Sequence, residues 1–471
     1  MSITMPQRLL NRALLIALLA LVLVAPGRAL AHGGHTGPMQ TYTQQFGSYE
    51  IAITVEIPPT TPSPLYLDIA PQQDMAGVTM RFRVAPRGQP FDGAPVAEVQ
   101  GNAGAQGVYF SQLDVDRFGD WDLEARVSGP KGGGVALIPI TIMAQPLPTG
   151  SIGLFAGLGG LVVLMIASIT LAAITQRRGQ PVPGWANWLI GQAMFACLIV
   201  AAIFGIQQFS VALQSAQASA DPTLALLGTG RPHANVALRT TPDHPQAGQP
   251  LTLTLDLSDG STGLPVDDLI PHHDALIHLV VISADGAFYT HIHPPRIAPG
   301  RYAITLTPDR PGLYTAYVEI QRQDSGTQVI AHDFELGGAA VAAILPAPGF
   351  GPRDVAGMRV DVSSSLMPLQ AWKQSTLTFS FSRGGAPVAD LQPWLSMAGH
   401  MIARDASGAI YAHVHAVGPM VPSGILASGI AYGPNIRFVY TFPQPGRYQI
   451  WGQFRHEQQI VTVPLEVTVE E

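Results

Sequence analysis

The sequence predicts a mainly β protein: three immunoglobulin-like β-sandwich domains, with a two-helix transmembrane hairpin set between the first and the other two. Three observations lead there. Short apolar runs alternate with Pro/Gly clusters over most of the chain, which holds 49 glycines and 41 prolines in 471 residues, and strands at that spacing build sandwiches. Two long uncharged apolar runs interrupt them. One stretch also occurs twice without a gap, so that His278, His291 and His293 recur as His400, His413 and His415, each 122 residues on.

In chain order, residues 1–31 carry Arg8 and Arg12, an apolar run from Ala13 to Val24 and the small-x-small Ala29-Leu30-Ala31. That is the pattern of a cleaved secretory signal peptide; an uncleaved anchor is the alternative, although the run is short for a span. Cleavage would expose His32-Gly33-Gly34-His35, where the free amine and the His32 imidazole could chelate copper, unless the segment is only a terminal tail. Residues 32–147 read as an exported sandwich with strands at Ile51 to Ile57, Val78 to Val84, Val108 to Val115, Trp121 to Val127 and Val135 to Ile142. Its Gly107-Val108-Tyr109 recurs as Gly300-Arg301-Tyr302 and Gly446-Arg447-Tyr448, a strand start that relates the three domains. It has no His-x-His and is expected to lack the site.

Ile152 to Ile174 and Trp188 to Ile206 are free of charge, which predicts spans at 150–175 and 186–208. Arg177 and Arg178 in the intervening loop, 176–185, place that loop in the cytoplasm and both flanking regions outside. Trp185 and Trp188 would anchor the second span, and Gly153-x-x-x-Gly157 is a helix-association pattern, with packing between the two helices of one chain as the alternative. A helical or flexible stalk, 209–231, leads to the histidine repeats at 232–336 and 358–471, joined by a linker at 337–357.

Turn chemistry sets the geometry of the histidines. Asp285-Gly286 between apolar runs is a two-residue hairpin signal. It puts His278 opposite His293, with His291 two residues along on the same face. Ser407-Gly408 does the same for His400, His415 and His413. Opposed Cβ atoms lie about 4.5–5.5 Å apart, close enough for imidazoles to converge on one ion. Three neutral imidazoles on one face suit a d-block metal; ordinary sandwich histidines, one buried and the others outward, are the competing reading. The single cysteine, Cys197, lies in the second apolar run, so a His₂Cys blue-copper centre and a cysteine zinc site are excluded. Further donors are His272, His273 and Glu319 in the first copy. The second copy has Trp394 and Leu395 in place of the paired histidines and Gln453 in place of Glu319. It is surrounded by Met397, Met401 and Met420, with His456 further on, and by an insertion near Met420 to Gly433. Thioethers would favour Cu(I) there, whereas the histidine-rich first site would suit Cu(II) or zinc.

The Gly-Asp-Trp strand of the first domain resembles the YtkA-like and FixH-like exported sandwich domains. Pro265-Val266-Asp267-Asp268-Leu269 with its following histidines is similar to a pattern in uncharacterised secreted bacterial proteins. These resemblances imply metal handling at the cell envelope, copper in particular. A net charge of −7 with 12% charged residues and no basic patch argues against nucleic acid. Three functions fit: an anchored copper-binding protein that hands its metal to an envelope partner, a structural or partner-binding envelope protein without metal, and a metalloenzyme. The last is ranked lowest, so the chain is expected not to be an enzyme: it contains no His-Glu-x-x-His and no Gly-x-Ser-x-Gly.

Overall fold

The computed structural model describes residues 38–58, 60–102, 108–143, 149–220, 233–322, 325–339, 342, 348–421 and 429–471. The expected signal peptide, His32 and the segment 221–231 lie outside the described residues. Within them the protein is mainly β, with two helices.

In the first sandwich, β1 (Met39–Phe46), β2 (Tyr49–Glu56), β3 (Ser63–Pro71) and β6 (Tyr109–Val115) form one sheet in the order β1-β2-β3-β6. The other runs β5-β4-β7-β8, from β5 (Ala97–Gln100), β4 (Thr79–Pro86), β7 (Gly119–Gly129) and β8 (Gly132–Ile142). Alternating residues such as Ile51, Ile53 and Val55 of β2 and Leu123, Ala125 and Val127 of β7 fill the core between them.

The helices form a separate compact unit. Both α1 (Thr149–Arg177) and α2 (Gly184–Ala220) are long and apolar enough to cross a membrane, and α2 continues into the segment read as a stalk. They touch where Gly157 leaves no room: a Cβ there would lie 2.8 Å from the Ala201 nitrogen. Val163, Ile166, Trp185, Trp188 and Phe195 remain exposed, the surface expected to face lipid.

The first repeat has the sheet β13-β14-β10-β9, from β13 (Arg296–Ala298), β14 (Arg301–Leu306), β10 (Leu251–Asp259) and β9 (Ala234–Thr241). Its histidine sheet runs β12-β11-β15-β16, from β12 (Tyr289–Ile292), β11 (Ile277–Ser283), β15 (Gly312–Gln321) and β16 (Thr327–Leu336). The second repeat matches that sheet with β23 (Tyr411–His415), β22 (His400–Asp405), β25 (Gly446–His456) and β26 (Gln459–Glu470), extended by β19 (Leu369–Gln370). Its other sheet holds β17 (Gly351–Val355), β18 (Met358–Ser364), β20 (Gln374–Arg383) and β21 (Ala386–Pro387), with β24 (Asn435–Thr441) also on β20.

Every residue of β11 is buried, which requires cover on both faces. Leu279 and Val281 point into the repeat's own core, while Val280 and Ile282 join Tyr317, Ile402 and Trp451 in a separate buried cluster. That cluster is the contact between the two histidine sheets, which lie face to face. Tyr289 stacks on Trp451 at 4.9 Å and, as its repeat image, Tyr411 stacks on Tyr317 at 4.3 Å. The hairpin tips dock on the opposite repeat. Gly286 has φ +71°, so the turn favours glycine, and its open side lies against the end of the Gln449 side chain.

The first sandwich is tied to this pair. Arg296, with no exposed surface, bonds both oxygens of Asp267 at 2.8 Å and Asp122 of β7 at 3.1 Å. The Gln45 amide donates to the His293 carbonyl at 3.1 Å, and Arg455 reaches the Pro71 carbonyl at 3.3 Å.

Candidate metal centre

The hairpins have the register that their turns predict. Leu279 pairs with Ile292, so the next step places His278 opposite His293, and His400 pairs directly with His415. Side chains alternate along each strand, and all six histidines therefore share the face that the other repeat covers. The potential ligand atoms of His278, His291 and His293 lie within 4.8 Å of one another, as do those of His400, His413 and His415. Each triad could hold a metal ion.

The triads are not two remote sites. Ring centroids within them are 4.9–5.3 Å apart. Across the seam, His413 lies 5.1 Å from both His278 and His291. Spacing between the triads thus equals spacing within them, and the six imidazoles form one buried cluster.

Hydrogen-bond partners assign the tautomers. His278 Nε2 lies 2.8 Å from the His272 carbonyl, an oxygen that only accepts, so Nε2 carries the proton and Nδ1 a lone pair. His291 Nδ1 donates to Gln453 Oε1 at 3.0 Å, leaving a lone pair on Nε2. These two lone pairs face each other at 3.1 Å, an arrangement that repels unless a cation stands beside both. Two nitrogens held at about 2.0–2.1 Å on a tetrahedral ion would be separated by about 3.3 Å, so the pair already has a chelating spacing.

The other rings follow the same rule. His413 Nδ1 donates to Glu319 Oε2 at 3.0 Å, and His293 Nδ1 to Glu50 Oε2 at 3.3 Å. The Nε2 atoms of both are buried without a partner, as are His415 Nε2, both nitrogens of His400 and Nδ1 of His273. Buried polar atoms are ordinarily satisfied, and a carboxylate or carbonyl that holds one imidazole nitrogen while the other stays free is the usual support of a metal-bound histidine.

Glu319 and Gln453 occupy the same place on β15 and β25, opposite His278 and His400. Each crosses the seam to hold the middle histidine of the other copy, so neither triad is supported by its own repeat alone. Glu50 was not legible as a site residue. It comes from the first sandwich, which lacks His-x-His yet contributes a carboxylate that also accepts from Trp394 Nε1 at 2.8 Å.

His272 and His273 do fold back, but chiefly onto the second triad: His273 packs on His415 at 3.7 Å between centroids, and His272 lies 6.1 Å from both His278 and His415. The methionines behave otherwise than expected. Met401 belongs to the core of the second repeat, because it alternates with His400 on β22, and Met420 is exposed. Met397 is buried in the Trp394–Met397 bridge. His456 bonds Asp390 at 3.2 Å, and Asp268 bonds Arg322 at 2.9 Å, which gives the shared aspartates structural partners.

Burial, reinforced by neighbouring imidazoles, pushes His278, His291 and His400 well below the ordinary histidine range. The same causes bring His273 down to about 3 and His415 to about 2. These rings are neutral at physiological pH and ready to act as ligands. Burial would raise Glu319, but the His413 imidazole that donates to it and His272 Nδ1 at 3.4 Å outweigh that and hold the carboxyl well below its usual range. Hydrogen bonds from His293 and Trp394 likewise outweigh the desolvation of Glu50.

A family model described as "Domain of unknown function (DUF8832)" matches residues 232–337 and again 353–471, the two histidine repeats. No curated protein matches this chain. Among solved structures, the Escherichia coli adhesin FdeC is similar at 12% identity over 93% of this chain and 98% of that one, with a TM-score of 0.17. The FN1–FN3 domains of chicken CNTN1 are similar at 9% identity over 91% and 100%, with a TM-score of 0.15. Scores this low carry no functional comparison.

Proposed function

We propose that this chain is a membrane-anchored, exported protein that binds copper at the seam between its two histidine repeats and captures or passes it on at the cell envelope. The confrontation of the His278 and His291 lone pairs at 3.1 Å carries the reading, because the hydrogen bonds that fix both tautomers would otherwise hold two repelling groups together. Imidazole donors backed by Glu319, Glu50 and Gln453 suit Cu(II), Cu(I) or zinc. With Met401 turned into the core, the preference for Cu(I) at the second triad loses its basis. In this reading the basic loop after α1 is cytoplasmic, both sandwich regions are outside, and the activity is binding and transfer without turnover.

A structural reading has its own observation. The rings sit where three sandwiches meet and are packed edge to face, so they could serve as a polar seam that orders those domains for a partner. Titration of the full chain in detergent with Cu(II), Cu(I) and Zn(II) separates the two. Binding of two ions per chain, lost when His291, His293, His413 and His415 are changed to alanine, supports the metal reading. No uptake by the unmodified chain, with the variant merely less stable, leaves the structural one.

A further inference from the structure

Resting on the metal reading, we infer that the two triads form an ordered pair: His272 and His273 are a loading port, the triad His400/His413/His415 fills through it, and the triad His278/His291/His293 fills from there. The cargo is a d-block cation in labile form, for which Cu(II) is the probe.

The first triad is sealed. His278 and His293 are each 1% exposed. The Trp394 indole lies 5.4 Å from the His291 ring and 6.4 Å from His293, itself 2% exposed. Its N–H is held by Glu50, and the first sandwich bonds the His293 carbonyl from behind. Around the second triad, His415 is half-buried, and so are His272 and His273 above it, while the His400 and His413 side chains are enclosed behind them. From that surface the rings run inward in short steps: His273 to His415 at 3.7 Å, His415 to His413 at 4.9 Å and His413 to His278 at 5.1 Å. Each step is a move from one imidazole to the next.

The duplication itself gives the direction. His272 and His273 correspond to Trp394 and Leu395, and both turns share one backbone, with positive φ at His273 and Asp274 and again at Leu395 and Ser396. The turns touch through Ser396 Oγ donating to Asp274 Oδ2 at 2.5 Å. Equivalent turns therefore meet beside the cluster, one bringing imidazoles onto His415 and the other an indole packed against His291, His293 and His400.

The test is stopped-flow Cu(II) uptake by the full chain in detergent, comparing the unmodified protein with a His272→Gln/His273→Asn variant. Asparagine tolerates the positive φ at 273, so the turn is kept. The variant is expected to hold the same two ions at equilibrium and to load them at least tenfold more slowly. An unchanged rate overturns the port, and so does loss of one ion at equilibrium, which would make the pair ligands instead. On the unmodified chain, EDTA should remove the two ions in separate phases at least tenfold apart, and a single phase overturns the order. If the unmodified chain takes up no copper, the metal reading fails before the order is in question.

Discussion

His278, His291 and His293 have Glu50 behind them, whereas His400, His413 and His415 have His272, His273 and Glu319 around them; Trp394 packs on both sides, against His291, His293 and His400. The ligating residues are the same, at the same spacing on the same hairpin, and their surroundings differ at three points. One turn carries histidines and the other an indole. One supporting strand residue is Glu319 and the other Gln453. The first sandwich docks against one triad. Duplication thus supplied two equal donor sets, and a few changes around them made one enclosed and one approachable. The donors alone would predict two equivalent ions.

The largest effect tests what the triads should share. Burial lowers His278 and His291 in one and His400 and His415 in the other, with His273 beside them. In the unfolded chain each would take a proton near the ordinary value of about 6.5. A lowered folded pKa means that the unfolded state binds more protons below that value. Stability is then fully present above about pH 7 and falls with acid, by about 1.4 kcal/mol per pH unit for each such histidine until its folded pKa is reached. The metal-free protein should therefore lose thermal stability steeply from pH 6.5 to 5, and the four-histidine alanine variant, which lacks His291 and His415 but keeps His273, His278 and His400, should lose it less steeply. Equal slopes in a melting series would mean that the rings are solvated in the folded state.

Next in size is the loss of ligands from one side. His291→Ala/His293→Ala and His413→Ala/His415→Ala should each reduce binding from two ions to one, measured by metal content after gel filtration. If either pair abolishes both ions, the six rings hold one shared centre and the comparison between triads collapses.

Much of this arrangement was legible beforehand. Asp285-Gly286 and Ser407-Gly408 set the registers because a two-residue turn leaves a strand pairing no freedom to slip. The two apolar runs were legible because a bilayer demands length and lack of charge. The strand Ser63–Pro71 was not read, since its flanking prolines resemble a separator although Leu65, Leu67 and Ile69 alternate inward. The meeting of the two triads was hidden for a different reason. Leu279 and Val281 look no more apolar than Val280 and Ile282, so the text does not say which face is the repeat's own core and which is the seam. Glu50 carried no signal at all, because its partner His293 lies 243 residues away.

Smaller is Trp394→Ala, at the indole packed against His291, His293 and His400. Removing a buried tryptophan of this kind costs about 3–5 kcal/mol and should lower the thermal midpoint of the metal-free chain. It should also bring the slow EDTA phase up to the rate of the fast one. A midpoint shift with two phases preserved would show that the indole is packing alone and that something else encloses the first triad.

The smallest effect concerns the carboxylates, and it asks why the triads differ at Gln453. Each triad has one imidazole held by an ionised carboxylate, His413 by Glu319 and His293 by Glu50, but the sources differ. The second repeat offers an amide where the first offers an acid, and the first sandwich supplies the missing charge from β2. Glu50→Gln should therefore weaken the slowly released ion by about 10–100-fold, the usual cost of losing such a partner, and leave the other ion unchanged. Adding Gln453→Glu should recover part of that affinity through His291, whose Nδ1 already faces this side chain at 3.0 Å. Recovery in the double variant, read by competition titration, would mean that one negative charge per triad is what matters. If Gln453→Glu instead weakens binding further, the charge must come from the first sandwich, and docking of that domain becomes a condition for holding the enclosed ion.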